Sequence, residues 1–367
     1  MITITADHEG GCLDRAVKCA EDFYALCLRQ DTWYYFNFKI TGCKDREIIF
    51  QFMCRDNLAP DHNEGRNRWL YGGYIEKPLV SYDGGKTWGE VDSIRKLGNM
   101  RGQFIFTHTF KEDEAIVSFS PTYLYTDLQE YLNKIKDHPL VKISDIGTSR
   151  SGRAVPRVSI TRNPDSKKAF ILIGREDADE VTGSTSIEAA IDWLLSDDPK
   201  AAAFLEKYHF ECIPMVGVDG VVYGSTHSAG YGYGGNTYHL DPAPREVQNV
   251  IDFVRSVVYD EGKEIVFAGK LHGGMRYTTR HIIDYLTASP TLDHYLKENK
   301  LDYWQPVWTG NALTIRPLGY FERFVLDEFL VTEVFGCHVN GKSKEACYYC
   351  GRDLMRVLAN YLELYNR

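Results

Sequence analysis

The sequence predicts an α/β protein in which an N-terminal antiparallel β-sandwich is followed by an α/β/α domain with a mixed sheet. Three features support this fold class. Short alternating apolar segments with hairpin turns fill the first 120 residues, a break that disfavours helix follows at Ser120-Pro121, and buried strands then alternate with amphipathic helices. We therefore expect a β-sandwich domain over residues 1–120 and a second domain over residues 121–367. The chain has 367 residues, 44% of them hydrophobic, which is enough for two hydrophobic cores.

A period of two in the apolar residues is the evidence for strands in the first domain, since alternate side chains of a strand share one face. Asp83-Gly84 is typical of a hairpin turn. Residues 13–28 are instead compatible with a short amphipathic helix. The segments with the strand period are residues 34–40, 48–54, 104–108 and 115–119.

The second domain is predicted from apolar runs that alternate with helical stripes. A helix is expected from Leu128, with its N-cap at Thr126-Asp127. Because strands buried on both faces occur mainly in layered α/β folds, the pattern favours a mostly parallel or mixed sheet. The predicted strands are residues 155–160, 168–173, 210–216, 264–271 and 329–335, and the further predicted helices are residues 185–195, 245–258 and 351–365.

Composition and charge exclude several classes of partner. The sequence has 42 Lys and Arg against 51 Asp and Glu, a net charge of −9, and no basic block, so we expect no nucleic-acid partner. No apolar run approaches the roughly 20 residues needed to cross a bilayer, so we expect no membrane partner. The N-terminus lacks the features of a signal peptide, and the nine cysteines are scattered, which indicates a cytoplasmic protein with reduced thiols. The oligomeric state is left open.

Acidic and histidine side chains follow several of the predicted strands. Asp177 and Glu180 come after one strand, His272 after another, and Glu333 at the end of the strand predicted over residues 329–335. Because the carboxyl ends of parallel strands meet at one edge of a sheet, we expect these side chains to converge there. Carboxylates and imidazole are ligands for a divalent metal, and a separate carboxylate beside the metal is suited to be a general base.

The order of these elements resembles that of the zinc metallocarboxypeptidases, specifically their cytosolic carboxypeptidase-like branch with an N-terminal β-sandwich. In that family a His-x-x-Glu pair and a later His bind zinc, and a glutamate near the C-terminus is the general base. The resemblance implies that Glu180 and His272 are the second and third ligands and that Glu333 is the base, with Asp177 at the position of the first ligand. The matching segments include residues 33–38, 81–88, 121–125 and 147–153.

The sequence departs from the family at several site positions. Asp177 replaces the first histidine, so the ligand set would have two carboxylates; zinc is still the expected metal, although Mn²⁺ or another hard cation also suits such a site. Lys270 stands where the branch usually has an acid, and it would either offset the added negative charge or pair with Asp177 and abolish the metal site. The two arginines that hold a substrate carboxylate are absent from their positions. The resemblance places His227, Tyr238 and His239 in the substrate pocket instead.

Two functions are consistent with these residues. The first is a metal-dependent hydrolase that cleaves an amide or peptide bond, on a peptide or amide small-molecule substrate other than an ordinary peptide C-terminus. The alternative is a catalytically inactive relative that binds a ligand or partner through the cleft and the β-domain. Cys337, Cys347 and Cys350 have part of the spacing of a second metal site, but buried free thiols are the favoured interpretation.

Overall fold

The computed structural model describes residues 1–29, 35–53, 77–97, 103–225, 243–273, 282–299, 304–306, 320–340 and 344–365. In this part of the chain, no helix combines the length and the hydropathy needed to cross a membrane. Two separate clusters of buried apolar side chains are present. One runs from Leu13 to Val117 and the other from Tyr123 to Leu362.

Two five-stranded sheets form the N-terminal part of the molecule. The strands are β1 Thr3–Thr5, β2 Arg15–Ala20, β3 Phe23–Cys27, β4 Asn37–Thr41, β5 Glu47–Met53, β6 Leu79–Ser81, β7 Gly89–Glu90, β8 Ser93–Lys96, β9 Gln103–Thr109 and β10 Glu114–Ser118. One sheet has the order β1-β4-β10-β6-β7, and the other has the order β2-β3-β5-β9-β8. The core between them is aromatic; the rings of Phe50 and Phe106 stack with centroids 4.9 Å apart.

One expectation for this region is corrected, and one strand pair departs from the antiparallel pattern, which is otherwise confirmed. Residues 13–28 form the β2–β3 hairpin rather than a helix, with Asp22 at a positive φ of 53° in the turn between the strands. The sandwich is also not wholly antiparallel, because β3 pairs with β5 in parallel. The chain between these two strands passes through β4 in the other sheet, and it therefore returns in the same direction.

The second region is built on one eight-stranded sheet with the order β11-β12-β14-β13-β15-β18-β16-β17. Its strands are β11 Val141–Thr148, β12 Ala154–Ile160, β13 Lys168–Gly174, β14 His209–Ile213, β15 Glu264–His272, β16 Ile282–Thr287, β17 Trp304–Pro306 and β18 Val334–Asn340. The helices are α1 Tyr125–Ile135, α2 Val181–Leu194, α3 Pro199–Lys207, α4 Val218–Val222, α5 Arg245–Tyr259, α6 Pro290–Glu298, α7 Tyr320–Phe329 and α8 Lys344–Leu364. The α/β fold with a mixed sheet is therefore confirmed.

The centre of the sheet determines where the site lies. Strands β14, β13, β15 and β18 are parallel neighbours, so their carboxyl ends lie along one edge. Residues of β13 are almost completely buried because helices pack over the sheet. The chain that leaves β13 and the last residue of β15 therefore meet at the same edge.

Several element boundaries differ from the sequence prediction. The strand predicted over residues 329–335 is wrong, because Phe329 ends α7, Leu330 has a positive φ of 56°, and the strand is Val334–Asn340. Helix α2 starts at Val181, earlier than predicted. Helix α1 has Leu124 as its N-cap residue, and the carboxylate of Asp127 accepts a hydrogen bond from the Leu124 backbone N–H at 2.6 Å.

Candidate metal centre

Asp177, Glu180 and His272 meet at the carboxyl edge of the sheet. Each offers one ligand atom, and these atoms all lie within 4.8 Å of one another. The His272 Nδ1 atom is 2.9 Å from Glu180 Oε2. All three side chains are half-buried, so the cluster remains partly open on one side. Two carboxylates and an imidazole are oxygen and nitrogen donors of the kind that zinc and manganese accept.

The loop between β13 and α2 carries two of these side chains. It starts at Arg175, which has a positive φ of 56°, a conformation that is uncommon for a residue other than glycine. The Arg175 side chain is buried, and its Nε donates a hydrogen bond to the Ala178 carbonyl at 2.7 Å. Burial lowers the pKa of Arg175 to about 10. A guanidinium buried in this way holds the loop in a turn that brings Asp177 and Glu180 to the same side.

The third side chain, His272, is the last residue of β15, and the start of α2 lies directly against it. The backbone N–H of Thr182 donates to the Gly273 carbonyl at 3.3 Å, and the Thr182 hydroxyl donates to the same oxygen. Gly183 allows this approach, because a Cβ there would lie 2.6 Å from the Leu271 carbonyl oxygen. Glu180 is the N-cap residue of α2, so the helix start places it beside His272.

The electrostatics of the cluster favour a bound cation. Burial, followed by the charge of Glu180, raises the pKa of Asp177 well above its ordinary value. Burial, with the charge of Lys270 as a smaller cause, lowers the pKa of His272 well below its ordinary value, which leaves the imidazole neutral and able to be a ligand. Because two carboxylates disfavour each other's ionisation, a dication between them would stabilise both as anions. The donor set therefore fits a divalent metal.

Lys270 forms its ion pair with Glu176, and its charge also acts on Asp177. The Lys270 Nζ lies 2.8 Å from Glu176 Oε2, and both side chains are almost completely buried, 5% and 2% exposed. Burial alone would lower the pKa of Lys270, but Glu176, Asp177 and Glu322 outweigh it and raise the pKa. The ion pair leaves Asp177 beside Glu180 and His272, so the Lys270 ammonium does not close the candidate site.

Glu322 is a buried carboxylate that the sequence reasoning missed. It lies on α7, is fully buried, and neither of its carboxylate oxygens has a hydrogen-bond partner among the described residues. Burial raises its pKa to about 7, although the charge of Lys270 acts in the opposite direction. The signal in the sequence was its spacing, because residues 322, 325 and 329 share one face of a helix whose other members there are apolar.

Glu333 does not reach the candidate site, which corrects the role expected for it. Val334 is level with Ala268 in the register of β18 and β15, and His338 is level with His272. Glu333 therefore lies just before β18 and level with the middle of β15, about 16 Å along the strands from His272 at about 3.3 Å per residue. Alternation also puts it on the other face, where Tyr361 of α8 donates a hydrogen bond to Glu333 Oε2 at 2.9 Å.

Other expected site residues cannot be compared with the structure. His227, Tyr238 and His239 lie outside the described residues, and so do the side chains of Cys347 and Cys350. Cys337 is buried on β18.

The segment 147–153 is hydrogen-bonded to Asp219 of the short helix α4, which follows β14. Asp219 accepts hydrogen bonds from the Ser149 hydroxyl at 2.8 Å, from the Ser151 backbone N–H at 2.8 Å and from Arg153 Nη1 at 2.7 Å. These bonds connect α4 to residues 147–153, one of the segments that carry the family resemblance. They also explain why an acid stands at position 219, since it satisfies the donors of a tight turn.

The fold and the donor cluster define a class of protein, an α/β protein of carboxypeptidase-like architecture. Solved structures support this. The metallo-carboxypeptidase from Burkholderia cenocepacia superimposes with a TM-score of 0.78 at 16% identity, over 100% of both chains. The Pseudomonas aeruginosa metallo-carboxypeptidase, solved with (2-guanidinoethylmercapto)succinic acid, gives 0.77 at 19% identity, over 98% of this chain and 99% of that one. At these identities the likeness concerns the fold.

Sequence comparison finds similar proteins of the same class. A family model described as zinc carboxypeptidase matches residues 128–242. Cytosolic carboxypeptidase 3 of Mus musculus is 27% identical over 304 residues, 75% of this chain and 29% of that protein. Cytosolic carboxypeptidase 6 of Mus musculus is 25% identical over 264 residues, 66% of this chain and 47% of that protein. The chain is therefore similar to the cytosolic carboxypeptidases and, over residues 128–242, to the zinc carboxypeptidase family. The matches span less than half the length of these curated relatives.

Proposed function

We propose that the chain is a metal-dependent hydrolase that cleaves an amide or peptide bond, with Asp177, Glu180 and His272 as the ligands of one divalent cation. The observation that carries the proposal is the convergence of three donor atoms within 4.8 Å at the carboxyl edge of the sheet. Zinc is the metal of the family whose model matches the chain. The second carboxylate makes Mn²⁺ a further candidate, because harder cations prefer oxygen ligands.

A cation at this position would polarise a substrate carbonyl and make a water molecule more acidic. The residues of the chain would hold that cation and tune it. His272 is neutral, so its imidazole needs no deprotonation before it binds a cation, and Glu180 orients the ring through the 2.9 Å contact to Nδ1. Because Asp177 adds a second negative charge, we expect the water to be less acidic than in a site with one carboxylate ligand.

The substrate and the location are proposed from the relatives. Their names describe carboxypeptidases, some of them cytosolic, so we propose a peptide or a small amide as substrate and the cytoplasm as location. We keep His227, Tyr238 and His239 as predicted pocket residues. Since they replace the arginines expected there, the preferred substrate should differ from an ordinary peptide C-terminus, whose carboxylate arginine binds best.

A second function is favoured by one observation, the displacement of Glu333 from the candidate site. A relative without a general base beside its metal would bind a ligand in the cleft without hydrolysing it. In that case the protein would take up metal normally but remain inactive.

Metal binding tests the first part of the proposal. Metal-free protein titrated with Zn²⁺ and, separately, with Mn²⁺ should take up about one equivalent, as measured by elemental analysis after desalting. His272→Ala should weaken binding about a thousandfold, or about 4 kcal/mol. His294→Ala, the same change on an exposed helix position, is the matched control and should bind like wild type.

Two results would contradict the ligand assignment: wild-type protein that takes up no metal, or His272→Ala protein that takes up as much as wild type. Hydrolysis of a panel of peptides and N-acyl amino acids then separates the two functions. Turnover that EDTA abolishes and Zn²⁺ or Mn²⁺ restores supports the hydrolase. Stoichiometric metal with no turnover on any member of the panel supports the binding protein.

A further inference from the structure

Two contacts bracket the three side chains of the candidate metal centre. Glu176 lies one residue before Asp177, and it pairs with Lys270, two residues before His272. Thr182 lies two residues after Glu180, and it bonds to Gly273, one residue after His272. The ligand loop is thus fastened to the end of β15 on both sides of the cluster.

We propose that the Lys270–Glu176 ion pair and the Thr182–Gly273 hydrogen bonds are positioning contacts that fix the spacing between the ligand loop and His272 and thereby set the affinity for the metal. The inference rests on the proposed metal site. It assigns no contact with substrate to any of these residues, which act through the ligands that they hold in place.

The burial of the ion pair is the main argument for this role. Lys270 and Glu176 are 5% and 2% exposed, and a buried ion pair generally adds little net stability compared with apolar side chains of similar size. What it does provide is a fixed geometry, because a charged pair excluded from water holds its atoms at one distance. Here that distance joins the loop that carries Asp177 and Glu180 to the strand that carries His272.

The backbone at the other contact supports the same interpretation. The Gly273 carbonyl accepts two hydrogen bonds from one residue, Thr182, through its backbone N–H and its hydroxyl. Gly183 next to it has no side chain, and a Cβ there would lie 2.7 Å from the Arg175 backbone nitrogen as well as close to Leu271. The start of α2, the start of the ligand loop and the end of β15 are therefore packed together at one point.

The test replaces the ion pair by apolar side chains of similar length, Lys270→Met with Glu176→Met. Zn²⁺ and Mn²⁺ affinities are measured by competition with a chromogenic chelator, and the melting temperature is measured for the metal-free protein. We expect the double variant to melt at or above the wild-type temperature while both metals bind about 10- to 100-fold more weakly. Glu322→Gln is the matched control, because Glu322 faces Lys270 without a hydrogen bond to it, and its metal affinity should equal that of wild type.

A double variant that binds both metals like wild type would overturn the role of the ion pair. Weaker binding together with a much lower melting temperature would also overturn it, since general destabilisation would then account for the loss. If wild type itself binds no metal, the proposed function fails, and that result is distinct from a change confined to the variants.

Thr182 gives a second measurement that does not depend on the buried charges. Thr182→Val keeps the shape and the backbone hydrogen bond but removes the hydroxyl, and about a tenfold loss of Zn²⁺ affinity is expected. Thr182→Ser retains the hydroxyl and should restore wild-type affinity. Equal affinities for the Val and Ser variants and wild type would overturn the role of this contact.

Discussion

Two buried glutamates in the second region of the molecule, one on a strand and one on a helix, have opposite surroundings. Glu211 on β14 is fully buried and accepts hydrogen bonds from Arg157 Nε at 2.9 Å and Lys263 Nζ at 3.0 Å, and from the Ser159 hydroxyl. Glu322 on α7 is also fully buried, but neither of its oxygens has a hydrogen-bond partner in the described ranges. The first carboxylate is surrounded by donors, whereas the ionised form of the second is favoured by the more distant charge of Lys270 and by its own backbone N–H, both outweighed by burial.

The comparison shows how a buried charge in the core differs from a buried charge near the candidate site. A carboxylate with its donors satisfied is compatible with a stable core, and Glu211 lies away from the carboxyl edge. An unsatisfied carboxylate is costly, and Glu322 lies beside the Lys270–Glu176 pair that adjoins the candidate metal centre. A perturbed buried charge of this kind is typical of the neighbourhood of a functional site. We therefore expect a change from glutamate to glutamine to have opposite effects on stability at the two positions.

The largest expected effect is at Glu211. Glu211→Gln removes the negative charge but leaves Arg157 and Lys263 buried, so both cations then depend on Glu261, which is 2.8 Å from Arg157 Nη1. We expect the free energy of unfolding to fall by about 3 to 5 kcal/mol, measured by urea denaturation at pH 8. Metal affinity, measured on folded protein, should stay at the wild-type value. A loss below about 1 kcal/mol would contradict the view that Glu211 is the centre of a coupled network.

Glu322→Gln is expected to act in the opposite direction. The folded-state pKa of about 7 lies above the ordinary value of 4.5, so ionisation of Glu322 destabilises the fold as the pH rises between these values. The amide has no such charge. At pH 8 the variant should be more stable than wild type by up to about 3 kcal/mol.

The pH dependence is the control for this prediction. Below about pH 4.5 the carboxyl is protonated in both the folded and the unfolded protein, so the two proteins should have the same free energy of unfolding there. A stability gain that is equal at pH 4.5 and pH 8 would mean that the improvement comes from packing and not from the charge.

Much of the fold could be predicted from the sequence, because the pattern of apolar residues shows which side chains are buried locally. The alternation that placed strands over residues 155–160 and 168–173 reappears as β12 and β13 within one residue. The convergence of Asp177, Glu180 and His272 also followed from a general rule, since each comes at or after the end of a parallel strand.

The failures have an equally specific cause. Residues 329–335 are an apolar run, but the first of them closes α7 and Leu330 turns the chain at a positive φ, so β18 begins at Val334. This shift converts Glu333 from the end of a strand to the residue before its start. Apolar content alone cannot fix such a boundary, because a helix end and a strand start can share one apolar run. The sequence also could not predict which acid forms an ion pair with Lys270. Residues 176 and 177 are adjacent, and the fold of the loop decides which of the two side chains faces Lys270.

The smallest expected effect is at a third buried glutamate, Glu333. Glu333→Gln retains an oxygen that can accept the hydrogen bond from Tyr361, so we expect the free energy of unfolding to fall by only about 1 kcal/mol, the difference between a charged and a neutral acceptor. Because Glu333 lies about 16 Å along the strands from His272 and on the other face of the sheet, metal affinity and any turnover should be unchanged. A hundredfold loss of turnover with metal affinity intact would contradict this placement and would support the role of general base that the family resemblance implies for Glu333.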